Sequence, residues 1–129
     1  MAKKKSYKAK TLEGLLTEKS IIELIWESGV MLKYVNLRKY NHFKENGTNP
    51  HGGYMDWEEA IPIIYIGRSK DRHLEDISII HEMVHLAECY YFDEHIFSEE
   101  DVEEYAQKIY REKSYFAEMI RSLFKDVGF

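Results

Sequence analysis

The sequence has one cysteine and two prolines among 129 residues, and no apolar run near the roughly 18 residues of a membrane span. A single cysteine cannot close an intramolecular disulfide or build a cysteine-rich zinc site. Two prolines leave room for long uninterrupted helices. The N-terminus lacks the apolar centre of a signal peptide, so the expectation is a cytoplasmic protein in a reducing compartment, with no membrane partner.

Charge of one sign is also scarce at each end of the argument about partners. Residues 1–10 carry Lys3, Lys4, Lys5, Lys8 and Lys10 and no acid, while the whole chain has 18 basic and 23 acidic residues. Residues 11–129 therefore hold 13 basic against 23 acidic side chains, a body of charge −10. Such a body repels a phosphate backbone, so no nucleic-acid partner is expected beyond what the basic tail offers. Residues 1–10 read as a flexible solubilising tail and 11–129 as one domain. The 44% hydrophobic and 14% aromatic content supplies a real core and excludes general disorder. Oligomeric state leaves no trace.

What is present is mostly helical pattern, and the expected class is α+β. Residues 11–28 are dense in Leu15, Leu16, Ile21, Ile22, Leu24, Ile25 and Trp26, which predicts a core-packed helix. Ser20 and Glu23 have capping-box spacing and Gly29 is a natural stop. Residues 30–37 suggest a strand, 41–53 a loop, and Tyr54–Trp57 and Ile61–Gly67 short strands, with Pro62 suited to a strand start or a sheet edge. Leu74, Ile77, Ile80, Val84, Ala87 and Tyr91 recur every three or four residues, predicting a helix over 72–91. Ser98-Glu99-Glu100-Asp101 predicts a new helix from Glu99, with Val102, Ala106, Ile109 and Tyr110 inward. Tyr115–Phe124 continues as helix after a break near Ser114.

The strongest chemical signal is His81-Glu82-Met83-Val84-His85. On a helix, side chains four apart project to the same side, so both imidazoles can serve one tetrahedral zinc ion. Glu82 then lies beside the metal and can take a proton from its water. A third protein ligand is needed. Glu88 and Tyr91 stand where a glycine and a third histidine would extend the motif, which excludes that arrangement. The remaining sources are His95 in the connector and Glu103 or Glu104 on the next helix. Glu103 borders the inward face set by Ala106 and Tyr110, whereas Glu104 pairs by spacing with Lys108 and Arg111. Glu103 is the expected ligand, giving a His₂Glu site with a fourth position for water. Glu88, one turn beyond His85, could partner that histidine from behind but reads first as an exposed helix residue, His42 and His73 read as surface, and Cys89 as a small apolar packer. Tyr110, His51 and Tyr54 are candidate donors to a tetrahedral intermediate.

His81–His85 followed by Glu103-Glu104-Tyr105-Ala106 resembles the zinc metallopeptidases whose third ligand lies in an E-x-x-A-[DN] helix (the gluzincin type). Among these the chain is most similar to the compact ImmA/IrrE-like proteins, over about residues 50–112. The resemblance implies a minimal zincin-like domain, mainly helical, with a small mixed or antiparallel sheet beside the HExxH helix. It implies one Zn²⁺ on His81, His85 and Glu103, with Glu82 catalytic. Gln107 stands where the family has Asp or Asn, so the hydrogen bond behind a zinc histidine needs the longer reach of glutamine.

The expected function is therefore hydrolysis of a peptide bond in a narrow set of protein substrates. An extended substrate would add to Ile61–Gly67 if that is an edge strand. The alternative is a non-catalytic zinc-binding regulatory or interaction protein on the same fold.

Overall fold

The structure, a computed structural model, describes residues 12–35, 53–56, 61–67, 71–93 and 96–126. The basic tail, most of the 41–53 loop, His42, His51 and His95 lie outside the described residues.

Helix α1 (Glu18–Ser28) is shorter than the expected 11–28 span and starts at a capping box one turn before the Ser20–Glu23 pair. Thr17 Oγ1 accepts from the Ser20 amide at 3.0 Å and Ser20 Oγ accepts from the Thr17 amide at 2.8 Å. Ser20 is thus the third residue of the helix, not its cap, and its Oγ also donates to the Leu15 carbonyl. Gly29, at φ 72°, ends the helix in the left-handed region that glycine tolerates. Only one face of α1 is buried: Ile21, Leu24 and Ile25 pack inward. Ile22 and Trp26 are exposed, contrary to the expected core role, because a period of 3.6 puts 22 and 26 on the other side.

Three strands follow: β1 (Met31–Val35), β2 (Gly53–Asp56) and β3 (Ile63–Gly67). They form a mixed sheet in the order β1-β3-β2, with β3 parallel to β1 and antiparallel to β2. Its most apolar strand is therefore its centre, with Ile64 and Ile66 fully buried, so the condition under which Ile61–Gly67 would receive a substrate is not met. Pro62 lies just before β3, where a missing N–H costs no ladder bond, and its carbonyl accepts from the Met31 amide at 3.0 Å.

Helix α2 (Arg72–Phe92) is the axis of the molecule. Asp71 caps its start by accepting from the His73 amide at 2.9 Å. Every residue from Ser78 to Tyr91 is buried, because α1, β2, β3 and the two later helices all pack on it. Tyr90 and Tyr91 donate to Glu27 and Glu23 of α1 at 2.5 and 2.7 Å. Helix α3 (Glu99–Glu112) begins at Ser98, whose Oγ accepts from the Asp101 amide at 3.0 Å, and buries Val102, Ala106 and Ile109. Helix α4 (Tyr115–Asp126) buries Phe116, Ala117, Ile120 and Phe124 at helical spacing. Arg121 joins α4 to α2 and β1 through Asp76 at 2.5 Å and the Tyr34 hydroxyl at 3.2 Å. The fold is α+β and mainly helical, and no helix among the described residues is long and apolar enough to cross a membrane.

Candidate metal centre

A helix packed on all sides has no solvated face, so polar residues in its middle must find partners inside the protein. His81 is fully buried, Glu82 is 2% exposed, His85 6% and Glu88 0%. Four ionisable side chains in two turns of a buried helix are costly, and their hydrogen bonds explain how they persist.

His81 and His85 lie with ring centroids 5.0 Å apart. Both Nε2 atoms point to Glu99, the first residue of α3: His81 Nε2 is 3.0 Å from Oε1 and His85 Nε2 is 2.7 Å from Oε2. The other nitrogen of each ring meets a second carboxylate. His81 Nδ1 is 2.8 Å from Glu103 Oε1 and His85 Nδ1 is 2.7 Å from Glu88 Oε1. Gln107 Nε2 donates to the remaining Glu103 oxygen at 2.7 Å, so its reach to the histidine runs through Glu103. Glu82 Oε2 lies 4.0 Å from His81 Nε2, on the same side of the ring as Glu99.

These carboxylates set the protonation of the rings. Burial disfavours the charged form of His81, but hydrogen bonds to Glu103 and Glu99 and the charge of Glu82 outweigh it and raise its pKa to about 9. Burial likewise opposes charge on His85, and Glu88, Glu99 and Glu82 raise it to about 10. For Glu99, partial burial acts upward, but the hydrogen bonds to His81 and His85 hold it well below the usual carboxylate range.

The ligand atoms of His81, His85 and Glu99 all lie within 4.8 Å of one another, so this group could hold a metal ion. Two imidazole nitrogens and a carboxylate oxygen form the donor set of an open zinc site. Glu99 meets each ring with a different oxygen, Oε1 toward His81 and Oε2 toward His85. Its side chain is 55% exposed, which puts the open side of the group at the surface near the start of α3.

The other residues singled out in the sequence fall elsewhere. Glu103, the expected ligand, meets Nδ1 of His81, whereas the Nε2 of that ring meets Glu99. Glu104 is exposed, as its pairing with Lys108 and Arg111 suggests. The Tyr110 hydroxyl is hydrogen-bonded to Nδ1 of exposed His73, eight residues before His81 and so about 12 Å along α2. Glu88, expected on the surface, is wholly buried. Cys89 is buried and forms no disulfide. Glu99 does not stand out in the sequence, because an acid in the first turn of a helix normally reads as a partner of the helix dipole. Its one signal is that it precedes Glu103 by four residues and so shares its face.

No family model, no curated protein and no solved structure matches this chain.

Proposed function

We propose that this chain is a zinc-dependent metallopeptidase, similar to the compact ImmA/IrrE-like proteins, that hydrolyses a peptide bond in a narrow set of protein substrates. The observation that carries the reading is the convergence of both Nε2 atoms on one carboxylate, at 3.0 and 2.7 Å, with the Glu82 carboxylate beside them. His81, His85 and Glu99 would hold one zinc ion. Glu103, which the E-x-x-A resemblance assigns to the metal, takes its place behind His81 and fixes that ring through Nδ1.

Zinc bound here would supply a Lewis acid for the scissile carbonyl and lower the pKa of water toward about 7. Glu82 does the proton work. Its Oε2 accepts a proton from water as the water oxygen bonds to the carbonyl carbon, then returns it to the amide nitrogen as the C–N bond breaks. At 2% exposure this carboxylate sits in a low-dielectric setting where its interaction with a developing charge is weakly screened. An extended substrate would lie along β2, an outer strand of the sheet among the described residues, packed on α2. So small a chain offers few surfaces for subsites, which favours narrow specificity, and the lone reduced cysteine suits a cytoplasmic setting.

Metal analysis of purified protein tests the reading. About one zinc per chain is expected, lost in His81→Ala, whereas Glu82→Gln keeps the metal and loses peptide cleavage. A protein that binds no zinc refutes the proposal. Zinc binding with no difference between wild type and Glu82→Gln, on peptide libraries and in cells, supports instead a non-catalytic zinc-binding regulator.

A further inference from the structure

The metal ligands of the proposed site come from two elements, α2 and the start of α3, joined by a connector that ends at Ser98. We propose that Glu88 is a positioning residue that couples metal loading at His85 to the seating of this connector, and thereby to the placement of Glu99. The inference rests on the zinc reading above and concerns a residue that the HExxH pattern does not include.

Glu88 is completely buried, and a buried carboxylate persists only when both oxygens are well partnered. Its oxygens divide their work. Oε1 accepts from His85 Nδ1 at 2.7 Å, while Oε2 accepts from the backbone amides of Ile96 and Phe97, each at 2.8 Å. Those amides lie two and one residues before the Ser98 cap, and Glu99 follows at once. One side chain therefore grips a metal-facing histidine and the backbone that delivers the third ligand.

The chemistry of each contact gives it a direction. An ionised carboxylate only accepts hydrogen bonds, so Nδ1 of His85 must carry a proton toward Glu88, and a metal that replaces the Nε2 proton facing Glu99 then meets the ring lone pair at Nε2. The two amide bonds fix the connector at the same time. If Glu99 or His85 shifts to meet a metal, the strain passes through Glu88 to the amides, and a seated connector conversely holds the site open to metal.

Glu88→Gln separates these roles because it keeps the volume. The amide oxygen can still accept from Ile96 and Phe97, but the NH₂ group then faces Nδ1 and drives the His85 proton to Nε2, where zinc must bind. Zinc affinity, measured by chelator competition, is expected to fall about 10–100-fold while helical content is retained. In the wild type, added zinc should slow hydrogen exchange at the Ile96 and Phe97 amides, and in Glu88→Gln it should slow them far less. A purely structural Glu88 would lower thermal stability without moving either readout.

Equal zinc affinity in the two proteins, or wild-type amides whose exchange zinc leaves unchanged, overturns the coupling and leaves the metal site standing. Failure of the wild type to bind zinc overturns both. The wild-type exchange comparison needs no variant, so it decides the matter even if Glu88→Gln does not fold.

Discussion

Glu103 Oε1 lies 2.8 Å from Nδ1 of His81, on the opposite edge of the ring from Glu99, which meets Nε2 at 3.0 Å. One imidazole is thus held between two carboxylates of the same helix, spaced four residues apart. The two are not equivalent. Glu103 is 14% exposed and tethered by Gln107, whereas Glu99 is 55% exposed and also reaches His85.

This asymmetry ranks the two glutamates. Glu99→Ala removes a proposed ligand and should weaken zinc binding by more than about 100-fold, beyond the range of residues that act behind a ligand. Glu103→Ala leaves the donor set intact and should cost about 10–100-fold. Zinc affinities by chelator competition decide between them. The reverse order would return the ligand role to Glu103, as the E-x-x-A spacing implies.

Local spacing explains why part of this was legible in the sequence. The 72–91 helix, the Ser98 cap and the start at Glu99 depend on contacts within a few residues, and each is found within a residue of its expected place. The pairing of His81 with His85 is equally local, since i and i+4 always share a face. What the sequence hid depends on how elements approach one another. Glu88 reads as exposed because its partners include the 96–97 amides, which lie beyond its own helix. Glu99 reads as a solvated helix start because its two partners lie on another helix. The central place of β3 follows from pairing on both of its edges, which an apolar run does not reveal.

Gln107 should act on the metal only through Glu103, since its Nε2 donates to Glu103 Oε2 at 2.7 Å. Gln107→Ala frees that oxygen without removing the contact to His81, so zinc affinity should fall only a few-fold, below the range of about 10–100-fold for loss of the Glu103 contact itself. In the double variant with Glu103→Ala the Gln107 effect should vanish, because residues in one hydrogen-bonded network are not additive. Additive losses would mean that Gln107 works by another route.

The metal-free protein should lose stability as pH rises above neutrality. His81 and His85 have folded pKa values raised to about 9 and 10 from 6.5, so their contribution is full below pH 6.5 and fades as pH climbs through 9 to 10. Glu99, held below its usual range, contributes in the opposite sense and loses its share only in acid. Thermal melts in chelator should show Tm falling by about 3 °C or more between pH 6.5 and 10, relative to a His81→Gln, His85→Gln double variant. With excess zinc the trend should reverse, because the metal needs neutral imidazoles. A flat metal-free profile would show that the rings are neutral in the fold.

Two aromatic residues on helices that flank α2 should respond to truncation in opposite ways. Phe116, in the first turn of α4, is 0% exposed, and Trp26 on α1 is 57% exposed. Phe116→Ala leaves a cavity among Ala117, Ile120 and their neighbours and should cost about 3–5 kcal/mol in urea unfolding, a large share of the stability of a chain this size. Trp26→Ala removes a side chain that lies mostly in water and should stay within about 0.5 kcal/mol of wild type. A Trp26 variant as damaging as the Phe116 variant would mean that the outer face of α1 is covered in solution, for that loss requires a buried ring.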